Sequence, residues 1–217
     1  MKRTYFQLMR AGVLVFASTL VFSVWADSGW YAGGGIGSSK IDSPDSKALC
    51  SDIDAEIASG LSGGCSIDDS DTAWKLFAGW RFNPYLAIEG GWADLGDFGV
   101  DYNLTDGVAN ETGAGTGSAS TFFATGVAGI PVGERASIYG KLGIHSWDSD
   151  GSSQIVFDGE LVESIDGGDS GTDLLYGGGV ELGLMEKAAA RLEWERYEAD
   201  EDDIDVFWLT IMFRSGG

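Results

Sequence analysis

The sequence has few of the residues on which metal sites depend. Its 217 residues include one histidine and two cysteines, too few for a structural zinc site, which needs four such ligands. Bases are scarce as well, with 13 lysines and arginines against 34 acids, so the surface should repel nucleic acid. After Ala26 no apolar run reaches 18 residues, and no stretch repeats apolar residues at helical spacing for three turns. We therefore expect no metal ion, no cofactor and no nucleic-acid partner.

The first 26 residues have the features of an export signal. Three bases lie within the first ten residues, residues 11–22 are apolar, and Val24-Trp25-Ala26 provides a suitable cleavage site. The apolar run of about 12 residues is shorter than the roughly 20 that a transmembrane helix needs. We expect a signal peptide over residues 1–26 and one mature domain over residues 27–217, with ten bases, 34 acids and a net charge of −24.

The two cysteines, Cys50 and Cys65, lie in a stretch rich in serine, aspartate and glycine. An exported chain meets an oxidising compartment, where such a pair favours a disulfide. Closing a loop of this size stabilises the fold by about 3 kcal/mol. Two free thiols are the alternative.

What recurs after Ala26 is a segment of about ten alternating residues followed by a turn. Eight such segments can be delimited, at residues 30–40, 72–82, 85–97, 119–132, 137–146, 173–184, 189–198 and 203–214. Their connections alternate between tight ones, at 83–84, 133–135 and 185–187, and long ones rich in Gly, Ser and Asp, at 41–71, 98–118 and 147–172. This pattern predicts an eight-stranded antiparallel up-and-down transmembrane β-barrel with short periplasmic turns and long extracellular loops.

Side-chain parity distinguishes this barrel from a soluble one, which fills its interior with hydrophobic side chains. In the second segment one face carries Trp74, Leu76, Ala78, Trp80 and Phe82, and the other carries Lys75, Phe77, Gly79 and Arg81. The third, seventh and eighth segments keep the same division. We expect the apolar face to meet lipid and the charged, glycine-rich face to line a narrow lumen, where charges must pair.

Aromatic residues of the apolar face concentrate near the strand ends. Trp30, Trp80 and Phe213 fall at the short-turn end, and Trp74, Trp92, Trp194 and Phe207 fall toward the long-loop end. Two such belts are typical of side chains at the two membrane interfaces. Packing against another sheet is the alternative for any one of them.

Acidic residues concentrate at the long-loop end. Of the 34 acids, 28 lie within residues 42–71, 94–111, 148–173 and 195–205. The simplest interpretation is a solvated anionic extracellular rim. A weak Ca²⁺ or Mg²⁺ site that bridges this rim to lipopolysaccharide phosphates is the alternative, because hard cations take carboxylate oxygens.

Several strings resemble the OmpA-type outer-membrane β-barrel family. Residues 30–37 (WYAGGGIG) resemble its opening strand, and residues 83–92 (NPYLAIEGGW) are similar to its N-P-Y turn and third strand. The likeness continues in order through residues 129–131, 138–143, 178–181 and 191–194. It covers essentially the whole mature chain and implies a Gram-negative outer-membrane location.

In that family, inward carboxylates and bases form an ionic cluster that blocks or gates the lumen. Carried over to matching positions, the resemblance implies a cluster of Glu89, Lys141, Glu181, Arg191 and Glu193. The family's fourth-strand lysine corresponds here to Val127, so Lys75 and Lys141 are the candidates to replace it in a gate exchange.

The end of the chain also departs from the family pattern. Four residues follow Phe213, although the alternating residues 207–213 still resemble the terminal signal that the barrel-assembly machinery reads. Many family members continue into a peptidoglycan-binding domain, and we expect this chain to lack that tether.

Some eight-stranded outer-membrane barrels are lipid-modifying enzymes, so the lone histidine needs an interpretation. His145 and Ser146 are adjacent and point to opposite faces of a strand, which excludes a Ser–His pair within hydrogen-bond reach. We expect His145 to line the upper lumen.

The sequence therefore predicts a non-enzymatic outer-membrane barrel with a structural or surface-interaction role and a lumen closed by an ionic cluster. A narrow gated pore for water or small ions is the first alternative, and a lipid-modifying enzyme is the second. Outer-membrane lipid, lipopolysaccharide and the assembly machinery are the expected partners. No extracellular partner is named by these residues.

Overall fold

The computed structural model describes residues 28–200 and 202–215. The expected signal peptide and Glu201 lie outside these residues. Nine strands and one helix follow in order: β1 Gly29–Asp42, α1 Pro44–Ala58, β2 Ser62–Asp68, β3 Ser70–Asn83, β4 Leu86–Thr105, β5 Asn110–Val132, β6 Ala136–Phe157, β7 Glu160–Met185, β8 Ala188–Ala199 and β9 Asp202–Arg214.

Eight of these strands close into a ring in which every neighbouring pair is antiparallel. The order around the ring is β1, β3, β4, β5, β6, β7, β8 and β9, and β9 pairs again with β1. β2 stands outside the ring and pairs only with the outer part of β4. Closure leaves no sheet edge at membrane depth. The predicted eight-stranded up-and-down barrel is confirmed.

The turns at the periplasmic end are short, as predicted. Between β3 and β4, the side-chain oxygen of Asn83 accepts the backbone N–H groups of Tyr85 and Leu86 at 2.8 and 2.9 Å. These bonds are those of an Asx turn, in which the Asn83 side chain takes the place of a backbone acceptor. The turn between β5 and β6 contains Gly133 at a φ of 72°, a conformation that glycine adopts without steric cost.

At the opposite end the strands are longer than the alternation of the sequence predicts. Segments 98–118 and 147–172, expected as long loops, continue the ladders as two paired hairpins. β4 and β5 remain paired up to Thr105 and Asn110, and β6 and β7 up to Phe157 and Glu160. Gly and Asp have low β-propensity, so these extensions could not be predicted from the composition. They form strands because their backbones pair with the neighbouring strands.

Segment 41–71 contains the helix α1, which the sequence did not predict. Only Ile53 of this helix is buried, so there is no amphipathic period to recognise. Its Cys50 is bonded to Cys65 of β2, with the two Cα atoms 5.3 Å apart, so the predicted disulfide is present. No helix of the described residues is both long and apolar enough to cross a membrane.

The two faces of the ring have the predicted polarity. Outward side chains are apolar and largely exposed, among them Leu76, Ile88, Leu142, Leu192 and Leu209. The inward face holds Lys75, Glu89, Lys141, Glu193 and Arg191, all buried. Period-2 alternation requires this division once the apolar face lies in lipid.

Candidate functional site

The centre of the lumen is organised around Glu89 of β4. Its carboxylate accepts hydrogen bonds from Arg191 Nη1 at 2.5 Å, from the Tyr31 hydroxyl at 2.8 Å and from Lys141 Nζ at 3.1 Å. These three donors come from three other strands, so this carboxylate connects opposite walls of the barrel. A buried carboxylate with several charged donors is compensated for its loss of water.

Glu181 of β7 forms the periplasmic end of the cluster. Its carboxylate accepts Arg191 Nε at 2.9 Å and Arg81 Nη2 at 3.0 Å, and it also pairs with Arg214. Arg81 and Arg214 are only partly buried, so they lie between the sealed lumen and the periplasmic mouth. Arg191 is 2% exposed and joins Glu181 to Glu89.

The extracellular end of the cluster contains two further carboxylates. Lys141 Nζ lies 2.8 Å from oxygens of both Glu193 and Glu195, and Lys75 Nζ lies 3.0 and 2.8 Å from the same two side chains. The Tyr197 hydroxyl donates to Glu195 at 2.6 Å. The cluster is therefore a continuous network from Glu181 to Glu195.

All five residues that the resemblance implied for the cluster are brought together. Lys75, a candidate for the gate exchange, also belongs to it, as do Glu195, Arg81 and Arg214, which the sequence did not assign to the cluster. Parity placed the first three of these inside, but parity alone does not tell which inward charges touch across the lumen. Glu195 falls within the acidic window 195–205 and also on the inward face, and the structure shows it inside the lumen, where its side chain is 1% exposed among these bases. Val127 is buried in the wall beside Lys141, its register partner.

Above the cluster, the lumen is filled by apolar and aromatic side chains. Leu95, Leu175, Tyr197 and Ile204 are all at most 3% exposed. His145 packs edge-on to Tyr197, with ring centroids 5.3 Å apart. This layer lies inside the ring, directly on the extracellular side of the ionic network.

His145 lines the upper lumen and has two polar partners. Its Nε2 lies 2.7 Å from the backbone oxygen of Glu198, and its Nδ1 lies 3.0 Å from Thr121 Oγ1. Ser146 is exposed on the opposite face of β6. The two neighbours therefore form no nucleophile–base pair.

The aromatic residues assigned to the girdles lie on the outer face. Trp30, Phe207 and Phe213 are each more than 60% exposed. Two cross-strand pairs form edge contacts, Trp30 with Trp80 at 5.0 Å between centroids and Trp74 with Trp92 at 4.7 Å. The ring of Trp194 makes an edge contact with the ring of Tyr176, with 6.0 Å between their centroids. Their role as interfacial anchors remains a prediction.

The extracellular end is acidic, and its few bases are already paired. Lys40 pairs with Asp69 at 3.2 Å, Lys47 pairs with Asp42, and Arg196 pairs with Asp205 at 2.6 Å. Within residues 28–200 and 202–215, no three His, Cys, Asp or Glu side chains are grouped to hold a metal ion.

Comparisons with known proteins agree with this architecture. A family model described as the outer membrane protein beta-barrel domain matches residues 11–214. Outer membrane protein A of Klebsiella aerogenes is 27% identical over 198 residues, which cover 90% of this chain and 48% of that protein. Outer membrane protein A of Escherichia fergusonii is 27% identical over 119 residues, 55% of this chain and 31% of that protein. The chain thus spans at most about half the length of these relatives.

Solved structures share the fold at low sequence identity. Ail, the attachment invasion locus protein of Yersinia pestis, solved in complex with the heparin analogue sucrose octasulfate, superposes with a TM-score of 0.51 at 15% identity and covers 87% of this chain and 99% of its own. The N-terminal beta-barrel domain of Pseudomonas aeruginosa OprF gives 0.50 at 8% identity with the same coverage. Because the family model spans nearly the whole chain, the protein belongs to the outer membrane protein beta-barrel domain family and resides in a Gram-negative outer membrane.

Proposed function

We propose that this protein is a non-enzymatic barrel, closed in its resting state, that anchors an acidic extracellular surface in the outer membrane. The observation that carries this proposal is the continuous network from Glu181 through Arg191, Glu89 and Lys141 to Glu195. Opening a water path would break several buried ion pairs at once. Each charge left without a partner costs on the order of 3–5 kcal/mol.

Planar-bilayer conductance tests the closed lumen. Purified wild-type protein should give long records without steady openings, because the ionic network and the apolar layer above it both exclude water. Lys187→Ala, which changes an exposed base of the periplasmic turn, is the matched control and should behave like wild type. Steady ion conductance by the wild type would contradict the proposal.

A narrow gated pore is the second candidate, and the contacts of Lys141 favour it. This ammonium lies within 3.1 Å of three carboxylates, those of Glu89, Glu193 and Glu195. It can therefore lose one partner and keep two, which lowers the cost of a rearrangement. Lys141→Ala should then produce brief openings, and the absence of any opening in both wild type and Lys141→Ala would exclude the pore.

The non-enzymatic assignment has a test of its own. A lipid-modifying activity would change the mass spectrum of lipid A when the protein is produced in a host membrane. We expect the spectrum to match that of cells with an empty vector. A new lipid A mass that depends on His145 would support an enzyme, and it would contradict the proposal.

Surface interaction is proposed through the charge of the extracellular end. Ail, which shares the fold, was solved with the heparin analogue sucrose octasulfate, but the acids of this chain disfavour a polyanion. The proposed outer partner is therefore cationic or carries bridging divalent cations. Lipopolysaccharide and the barrel-assembly machinery complete the proposed partners, the latter through the lipid-facing alternation of Phe207, Leu209, Ile211 and Phe213.

A further inference from the structure

A two-level cavity opens at the extracellular end of the barrel, and we call it the vestibule. Its upper part has a volume of about 610 Å³ and lies between the start of α1, the end of β2 and the two extended hairpins. Its lower part has about 270 Å³ and reaches down to His145, Trp147 and Tyr197. The two parts share Ile41, Asp169 and Asp202. The combined space is within the range that binds small organic ligands.

The walls of the vestibule are largely apolar. Ile41, Ile67, Phe98, Val100 and Ile165 line the upper part. Leu95 and the rings of Trp147 and Tyr197 line the lower part. The indole N–H of Trp147 already donates to Asp173 at 2.7 Å, so the polar atom of this side chain is satisfied and its ring serves as an apolar surface. A wall of this kind favours a ligand with an apolar or aromatic body.

The charge of the vestibule has one sign. Its lining includes Asp45, Asp68, Asp69, Asp150, Asp169 and Asp202. The one basic residue of that lining, Lys47, is paired with Asp42, and the side chain of His145 is held by Glu198 and Thr121. The carboxylates at the junction of the two parts therefore face an apolar space without a neutralising base.

Asp202 is one of the two carboxylates at the junction of the two parts of the vestibule. It lies at the extracellular start of β9, five residues beyond the girdle residue Phe207, and it is partly buried. Its burial, together with the negative charges of Asp45, Asp200 and Asp203, raises its pKa above the usual value, although a side-chain hydrogen bond from Ser43 acts in the opposite direction. Within residues 28–200 and 202–215 no lysine or arginine forms an ion pair with it. A bound cation would relieve this repulsion.

We propose that the vestibule binds a small organic cation with an apolar body, such as an arylalkylamine. The ammonium group lies between Asp202 and Asp169, where the two parts of the vestibule meet, and the apolar body extends into the lower part against Leu95 and Trp147. A bare divalent ion fits less well, because no three carboxylates are grouped to hold a metal ion among the described residues. The inference is independent of whether the lumen conducts.

Calorimetric titration of the refolded full chain in a nonionic detergent tests the proposal. The probe is 2-phenylethylamine, and its matched analogues are the neutral 2-phenylethanol and the anionic 3-phenylpropionate, each corrected for uptake by empty micelles. We expect the amine to bind roughly tenfold more tightly than the alcohol, as a charge-assisted hydrogen bond of about 1.5 kcal/mol implies. The carboxylate analogue should show no binding.

Two variants assign the binding to the vestibule. Asp202→Asn and Asp169→Asn should each lower the affinity for 2-phenylethylamine severalfold. The affinity for 2-phenylethanol should stay unchanged in both variants. Asp106→Asn removes the same charge at the exposed tip of the β4–β5 hairpin. It should leave the affinities for the amine and for the alcohol unchanged. Heat-modifiable migration on gels verifies that each variant is folded. Equal binding of amine and alcohol, or equal effects of Asp202→Asn and Asp106→Asn, would overturn the proposal.

Discussion

Arg191 is the residue on which the lumen network most depends. Among the described residues it is the one base that pairs with both Glu181 and Glu89, at 2.9 and 2.5 Å. Its guanidinium also lies 5.0 Å from the centre of the Tyr139 ring. A planar guanidinium presents a rigid fork of donors and a flat face, so it can bridge two carboxylates and stack on an aromatic ring in one fixed geometry.

Truncating this side chain should destabilise the barrel strongly. In Arg191→Ala, Glu89 and Glu181 each lose a charged donor inside the lumen, at a cost of about 3–5 kcal/mol. The temperature at which the folded gel band converts to the unfolded one should fall clearly below that of wild type. Arg135→Ala, at an exposed periplasmic turn, should leave that temperature unchanged. An unshifted Arg191→Ala would mean that the network contributes little to stability.

The carboxylate of Asp71, on the extracellular side of the girdle residue Trp74, is held by backbone hydrogen bonds. It accepts the backbone N–H of Asp97 at 2.8 Å. This bond, followed by one from the N–H of Thr72, lowers the pKa of Asp71 in the folded chain. The associated stabilisation is therefore present above the unfolded pKa of about 3.9 and is lost as the pH falls through the lower folded value.

Carbon-detected NMR titration of the Asp71 carboxyl measures this shift. Its midpoint in the folded barrel should lie below that of the same carbon in the urea-unfolded chain. Identical midpoints in the two states would show that the bond to Asp97 does not favour the charged form.

At this scale, parity predicted which side chains point inward, because the face of a residue follows from period 2 alone. Which inward charges touch was not predictable in the same way. The contact of Lys75 with Glu195 depends on the stagger between β3 and β8, which are not adjacent in the ring. Parity placed Glu195 on the inward face, but its contacts with Lys75 and Lys141 could not be predicted from parity.

Among the elements, α1 is held to the rest of the molecule mainly by the disulfide. It buries only Ile53, whereas β2 pairs with β4 at seven positions. Sequence patterns could not predict α1, because a helix without an apolar stripe shows no helical periodicity of apolar residues. The disulfide that holds it could be predicted from the two cysteines. Such an element should depend on the bond for its order.

Reduction of the Cys50–Cys65 bond should expose α1 to protease and leave the ring intact. The bond closes a separation of 15 residues, which is worth about 3 kcal/mol of loop entropy. Trypsin should cleave after Lys47 faster with reductant, and the Cys50→Ser/Cys65→Ser variant should be cleaved fast without it. The folded gel band should persist in both cases. A rate that does not respond to reductant would show that other contacts hold the helix.

The extended β6–β7 hairpin should be removable without loss of the barrel. Its outer part is paired with β5 and with itself, and Ser149 lies directly opposite Asp169. Replacing residues 150–168 by Asn-Gly should therefore join β6 and β7 by a two-residue turn without changing their register. The temperature at which the folded gel band converts to the unfolded one should stay the same. A replacement of residues 149–168, which shifts the register by one residue, should lower it. If both variants unfold alike, the outer hairpin is needed for folding.

Over the whole molecule, the dominant feature is the separation of charge along the barrel axis. Acids crowd the extracellular end, where Lys40, Lys47 and Arg196 are each paired. Unpaired carboxylates there should attract polycations, and salt should weaken the attraction.

Chromatography of the detergent-solubilised chain on immobilised polylysine measures this property. The truncation of residues 150–168 removes five acids and no base, so it should elute at lower salt than the full chain. The Asn-Gly replacement serves as its own folding control through the gel shift. Elution at the same salt would mean that these acids do not form the attracting surface.

The 26-residue length of β7 also sets how far the acidic tips stand from the lipid. At about 3.3 Å per residue and a tilt of about 40°, such a strand rises about 65 Å along the axis, against an apolar band of about 25 Å. The turn at residues 158–159 is therefore tens of ångströms above the phosphate groups of the membrane. That distance is several Debye lengths of about 8 Å at physiological salt. The acidic tips of the hairpins and the negative membrane surface therefore hardly repel one another. The barrel can carry carboxylates at that distance from the membrane without weakening its own insertion.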